Sequence, residues 1–287
     1  MKTLSFILLF IASAILLNYS CKKDDEKPIE ENKDTTKVVN NQSSTKSSIV
    51  ATSIYNDVIT DVIVACDTNN TNKISCPTIT FSSGLTYPKT LTIDFGTACI
   101  VNNHSYSGSV SASLTGKIRD LGTVVSISFT TFKVDTITVE GTVSLSVTDF
   151  NTLNTQVTFI DSIKNGKLTF PSGTISLNTN QTVKWTLYTV TDYTDDIFEI
   201  STGNTSATNM EGKTFTSEIL DTVVIKASCM EPVDGKMKII SSDYNFPATI
   251  DFGDGTCDNK ATVSTKVSVT VGNQTFEQDY SYIVTLP

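Results

Sequence analysis

From Ile79 onward the chain alternates apolar and polar residues with a period of two, and this restricts the fold more than any other feature. Leu91-Ile93-Phe95 alternates with Thr92 and Asp94, and the same pattern runs through Val110-Ala112-Leu114, Val125-Ile127-Phe129, Ile137-Val139, Val143-Leu145-Val147, Val183-Trp185-Leu187 and Val267-Val269-Val271. The intervening positions are mostly Ser, Thr and Lys. One buried and one wet face is the signature of antiparallel sheets. Asn102-Asn103, Asp120-Leu121-Gly122, Asn165-Gly166, Pro171-Ser172-Gly173, Asp234-Gly235 and Gly272-Asn273 read as turns between the runs. Strands do not alternate with helices, which argues against parallel α/β folds. The expected fold is mainly β, an antiparallel sandwich or roll built from two related halves with one short N-terminal helix.

That helix is expected over 48–66. Val50, Ile54, Val58, Val62 and Cys66 recur every fourth residue, Ile59 and Ile63 sit beside them, and Asp57 and Asp61 fall on another face. The spacing predicts one amphipathic helix packing its stripe on the β-body, although its β-branched residues are indifferent helix formers. Residues 21–46 carry almost no apolar content and are expected to form a flexible tether. The body is then 47–287, with halves at about 74–200 and 201–287.

The halves rest on an internal repeat. Tyr87-Pro88-Lys89-Thr90-Leu91-Thr92-Ile93-Asp94-Phe95-Gly96-Thr97-Ala98-Cys99 returns as Phe246-Pro247-Ala248-Thr249-Ile250-Asp251-Phe252-Gly253-Asp254-Gly255-Thr256-Cys257. Val139-Glu140-Gly141 is echoed weakly by Met210-Glu211-Gly212. Each main copy has an upstream cysteine, so the expected disulfides are Cys76–Cys99 and Cys229–Cys257. The alternative pairs Cys66 with Cys76 and leaves Cys99 free; sequence does not fix connectivity. In the symmetric pairing Cys66 is a buried free thiol on the helix stripe.

The N-terminus reads as an export signal over 1–20. Lys2 precedes an apolar run from Leu4 to Leu17, too short for the roughly 20 residues that span a bilayer and suited to a signal-peptide core. Ser20-Cys21 follows, with Lys22, Lys23, Asp24, Asp25 and Glu26 after it. A small residue before Cys resembles a lipobox, with Cys21 as the acylated first residue. The charged block resembles the surface-export signal of Bacteroidetes lipoproteins. Each buried acyl CH₂ contributes about 0.8 kcal/mol, so several chains on Cys21 would anchor the protein stably. The resulting expectation is a protein lipid-anchored on the cell surface, with the outer membrane as its first partner.

The repeated Thr-Ile-Asp-Phe-Gly, the Glu-Gly motif and Asp251-Phe252-Gly253-Asp254-Gly255-Thr256-Cys257-Asp258-Asn259 resemble, over about Ser48 to Pro287, a family of Bacteroidetes surface lipoproteins. The resemblance implies a β-rich surface lipoprotein and no catalytic residues. The chain departs from it where Thr97-Ala98 replaces the Asp-Gly pair of the second copy.

Charge and chemistry narrow the function further. The chain has 21 basic and 30 acidic residues, net -9, and loss of Lys2 would make it one unit more negative. An acidic surface repels nucleic acid and anionic membranes. Asp251, Asp254 and Asp258 could offer oxygens to Ca²⁺, but the EF-hand spacing is missing and capped Asp-Gly turns explain the segment better. His104, the single histidine, stands in a polar hairpin tip, which makes neither a metal site nor a Ser-His-Asp triad. Trp185 shares a face with Val183 and Leu187 and is read as core; Tyr188 and Tyr193 are candidate sugar-stacking residues. Asp192, Asp195, Asp196 and Glu199 are candidate paired carboxylates for glycoside hydrolysis, against the simpler reading of an acidic loop. Asp-Ser/Thr pairs at Asp34, Asp135, Asp161 and Asp221 resemble an O-glycosylation sequon. The expected function is non-enzymatic, without cofactor or metal: adhesion, a structural role or ligand display. The second expectation is a glycan-binding accessory protein of nutrient uptake; a glycoside hydrolase ranks third. The partner beyond the membrane is an extracellular glycan or protein.

Overall fold

The structure is a computed structural model that describes residues 33–68, 76–84, 86–101, 104–152, 155–188, 193–242, 244–271 and 274–286. Cys21 and the block Lys22 to Glu26 lie outside these residues, as do the Asn102-Asn103 and Gly272-Asn273 turns.

Among the described residues one α-helix, α1 (Lys33–Thr68), precedes thirteen strands. These are β1 (Thr78–Phe81), β2 (Lys89–Val101), β3 (His104–Leu114), β4 (Val124–Val134), β5 (Ile137–Asn151), β6 (Gln156–Phe170), β7 (Gly173–Thr186), β8 (Ile197–Thr208), β9 (Thr214–Lys226), β10 (Glu231–Ser241), β11 (Ala248–Asp254), β12 (Lys260–Val271) and β13 (Gln274–Thr285). Every strand pairs antiparallel with its sequence neighbours in one sheet ordered β1 to β13. The sheet is open, so β1 and β13 are its two edges. The mainly β antiparallel fold with a single helix is as the alternation predicts. The repeat halves are consecutive runs of one continuous meander.

Two of the expected turns are bulges inside strands. Asn165-Gly166 lies within β6 and Asp234-Gly235 within β10, where the pairing register shifts. At Gly235 the backbone turns to φ +93°, and a Cβ would sit 2.1 Å from the Thr222 carbonyl oxygen, so only glycine fits. A bulge and an Asx turn look alike in sequence, since both need small or Asp/Asn residues that tolerate positive φ. The weaker echo does not survive folding: Glu140 lies in β5 and Glu211 in the turn after β8.

The helix differs most from expectation. It begins at Lys33, so residues 33–46 are helical where a tether was expected, and 48–66 is only part of it. Ser44, Thr45, Ser47 and Ser48 are buried. Asn209 Nδ2 donates to Ser44 Oγ at 3.0 Å, and Ser44 Oγ lies 3.3 Å from Ser241 Oγ. Small hydroxyl side chains let the helix approach the sheet closely, and their low hydropathy hides that inward face. Nor does α1 bury a single stripe. Ile49, Ala51, Ile54, Tyr55, Val58, Ile59, Val62, Ile63 and Ala65 are all buried, and these positions point most of the way round the helix. The sheet curls about it. Tyr55 Oη donates to the Glu140 carbonyl of β5 at 2.6 Å and accepts from the Lys167 amide of β6 at 2.9 Å, while its ring meets Phe129 of β4 edge-on. The Gln42–Asp67 stretch is long and apolar enough to cross a membrane, but most of it is spent inside this core.

Candidate functional site

An open sheet rolled around a helix leaves one seam, and the helix shows there. Along the seam the least covered helix residues are Lys46, Val50, Asp57, Asp61 and Val64, of which Lys46 and Asp61 are exposed. On the β1 side a cleft of about 180 Å³ opens between the helix and the first strands. Asp61, Val64 and Ala65 form its floor; Pro77, Ile79, Ile93, Phe95, Val101 and Tyr106 form its walls. Among the described residues β1 pairs with Leu91 to Asp94 of β2, and the cleft lies beside the continuation of that strand through Phe95 to Val101. The walls are backed by an aromatic cluster: Phe95 stacks on Tyr106 with centroids 5.2 Å apart, and Phe132 lies 5.5 Å from Phe95.

Asp57 and Asp61 are one helical turn apart. Neither has a hydrogen bond or cationic partner among the described residues, and the next cation along the helix, Lys46, is about 16 Å from Asp57 at 1.5 Å rise per residue. Burial, with the Asp61 charge second, pushes the Asp57 carboxyl up to about 8. Burial pushes Asp61 up to about 6. Solvent reaches Asp61 through the mouth of the cleft, while protein atoms crowd it from the other sides. The Tyr106 phenol is raised by burial and then by the Asp61 and Asp57 charges, so all three groups share one electrostatic environment.

At the C-terminal end of α1 stands a polar network that sequence reasoning missed. Arg119, the single arginine, grips Asp67 with two hydrogen bonds, Nε to Oδ1 at 2.6 Å and Nη2 to Oδ2 at 2.5 Å. Its guanidinium lies 5.8 Å from the Trp185 ring centroid. Trp185 is fully buried, stacks on Phe198, and donates its Nε1 hydrogen to Asp196 Oδ2 at 2.8 Å. This network clamps the helix end to β7 and β8.

The residues singled out from sequence fall as follows. Cys76 and Cys99 are paired with Cα atoms 5.7 Å apart, Cys229 and Cys257 with 6.0 Å, and Cys66 is free and buried. The three carboxylates of the second copy do not converge. Asp251 Oδ1 accepts from the Gly253 amide and its Oδ2 lies 3.3 Å from Lys236 Nζ; Asp254 caps Thr256, and Asp258 accepts from the Lys260 amide. No cluster of three His, Cys, Asp or Glu side chains fit for a metal occurs among the described residues. His104 Nδ1 lies 2.8 Å from Asp135 Oδ2 at the surface. Tyr188 is 63% exposed, but Tyr193 is turned inward with its hydroxyl toward Asp67, so the two do not form a joint platform. Among the described acids around them, Asp196 and Glu199 do not form a pair. Asp192 lies outside the described residues, Asp196 is buried against Trp185, and Glu199, on the opposite face of β8, is 2.6 Å from Lys184 Nζ. Trp185 claims Asp196 as a hydrogen-bond acceptor, which sequence spacing does not reveal.

No protein-family description, curated protein or solved structure matches the chain.

Proposed function

We propose that the chain is a bacterial surface lipoprotein, cut before Cys21, acylated there and carried to the outer face of the outer membrane. There its helix-filled sheet serves as a non-enzymatic body for ligand capture or display. The order of the leader carries this reading: Lys2, the apolar run Leu4 to Leu17, Ser20-Cys21, then Lys22 to Glu26. The seam cleft supports capture, because it is a concave apolar site with a few polar groups. Labelled palmitate and surface proteolysis of whole cells test the address. The wild-type chain takes up label and is cut on intact cells, while Cys21→Ala takes up none and leaves the membrane. Continued membrane attachment of Cys21→Ala would refute the anchor.

Glycan capture is a second reading. It rests on Tyr188 alone, since Tyr193 is held inward. A glycan array with no hit, or a hit unchanged by Tyr188→Ala, removes it.

A further inference from the structure

The seam cleft has a chemistry of its own. Its walls are aliphatic and aromatic, and its floor carries the exposed carboxylate of Asp61 with Asp57 one turn behind. A surface carboxylate ordinarily finds water or a lysine. These two find neither a cation nor a hydrogen-bond donor among the described side chains, and the Asp61 charge adds to the cost of ionising Asp57. Asp61 at the floor of an apolar cleft, with Asp57 one turn behind and no countercharge among the described side chains, leaves a charge-complementary place for a positive group. Phe95 and Tyr106, stacked on each other in the wall, add to that attraction, since aromatic rings draw ammonium groups through their quadrupoles.

We propose that this cleft binds a small organic ammonium cation with an apolar body, its nitrogen at Asp61, with Asp57 one turn behind, and its apolar part against Ile79, Ile93, Phe95 and Tyr106. Size sets the scale of the ligand. The cleft is slightly larger than the roughly 150 Å³ apolar cavity that takes one benzene. It therefore accepts one ring or a short branched chain, with the remainder projecting from the open mouth. The role of each side is separable. The walls supply apolar burial to any ligand of this shape, whereas the carboxylates discriminate by charge. A neutral analogue loses the attraction, and an anionic analogue meets repulsion.

This inference rests on the capture reading of the body and is independent of the lipid anchor. The probe is 2-phenylethylammonium, titrated calorimetrically at pH 8 into purified full-length protein beside 2-phenylethanol and 3-phenylpropanoate. The ammonium is expected to bind at least tenfold more tightly than the alcohol, and the carboxylate not to bind. Asp61→Asn is expected to bring ammonium and alcohol within about threefold of each other while far-ultraviolet circular dichroism stays unchanged. Leu220→Ala, at an exposed position that does not line the cleft, retains the preference. Equal binding of ammonium and alcohol by the wild type, a preference that survives in Asp61→Asn, or no binding of the ammonium at millimolar concentration each overturns the proposal. If the protein fails to acylate yet prefers the ammonium, the address is wrong and the site stands. If it acylates and shows no preference, the reverse holds.

Discussion

The two copies of the repeat share a sequence and a local geometry but not a position, and the difference shows how this fold makes a cleft. In both, Asp-Phe-Gly turns the strand in the same way: Asp94 Oδ1 accepts from the Gly96 amide at 2.9 Å, and Asp251 Oδ1 from the Gly253 amide at 3.1 Å. In both, the Ile and Phe point inward and a disulfide ties the end of the motif to an upstream segment. The second copy lies in β11, between β10 and β12, where Phe252 is 2% exposed. The first lies in β2, beside the four-residue edge strand β1, and its Phe95 forms a wall of the open cleft. The helix mirrors this asymmetry. Toward β10 it presents Ser44 and Ser48, and toward the seam beside β1 it presents Asp57 and Asp61.

If position rather than motif decides, the same substitution should cost more in the second copy. Phe252→Ala is expected to destabilise by about 3–5 kcal/mol, as enclosed Phe truncations do. Phe95→Ala should cost at least 1 kcal/mol less, because its ring borders an open cleft rather than packed side chains on that side. Urea unfolding of both variants decides it, and equal losses would break the comparison.

The disulfides test the same point by rate. Their sequence separations of 23 and 28 residues predict similar loop-entropy contributions, about 3–4 kcal/mol each. Their exposures differ, since Cys99 is buried and Cys257 is open to solvent. Under mild dithiothreitol, mass spectrometry of alkylated peptides should show Cys229–Cys257 reduced first.

The smallest expected effect lies on the helix. The pKa of Asp57 is raised in the folded protein to about 8, so the folded state holds its proton more tightly than the unfolded chain does. Its contribution is complete below the ordinary Asp range. It is lost as pH rises toward 8 and stays lost above. Asp57→Asn should remove much of that slope and raise stability at pH 8.5 by at least about 1.4 kcal/mol, the equivalent of one pKa unit. Denaturant midpoints at pH 4 and pH 8.5 measure it; a variant no more stable at pH 8.5 would place Asp57 in water.

The strands were legible because a half-buried sheet writes its two faces into alternate residues, as at Leu91-Ile93-Phe95 and Val183-Trp185-Leu187. The alternation slips at bulges, which is why Phe129 reads as inward while Phe132, beyond the turn in backbone at Thr131, is the more deeply buried. The cysteine pairs were legible through the repeat. The extent of the helix was not, since Ser44 and Thr45 look like a solvated linker until a sheet closes over them. Asp57 and Asp61 were visible as a separate helix face. That this face stands at a cleft depends on strand pairing, since the cleft lies where β2 runs on from the Thr78–Asp94 pair. Asp67 and Arg119 stand 52 residues apart, and no local pattern joins them.

The order of the sheet also bears on how the chain can be finished. Each strand pairs with the one made just before it, so every hairpin closes cheaply as the chain emerges. The helix is the exception. It comes first, yet Gln42, Lys46, Ile49 and Val50 line a cleft with Tyr282 to Thr285 of the last strand. Its N-terminal half therefore waits, uncovered on that side, until nearly the whole sequence has arrived. A chain cut short by a single hairpin would keep eleven paired strands and still show an unsealed helix, which gives any surveillance protease a simple way to recognise it as incomplete.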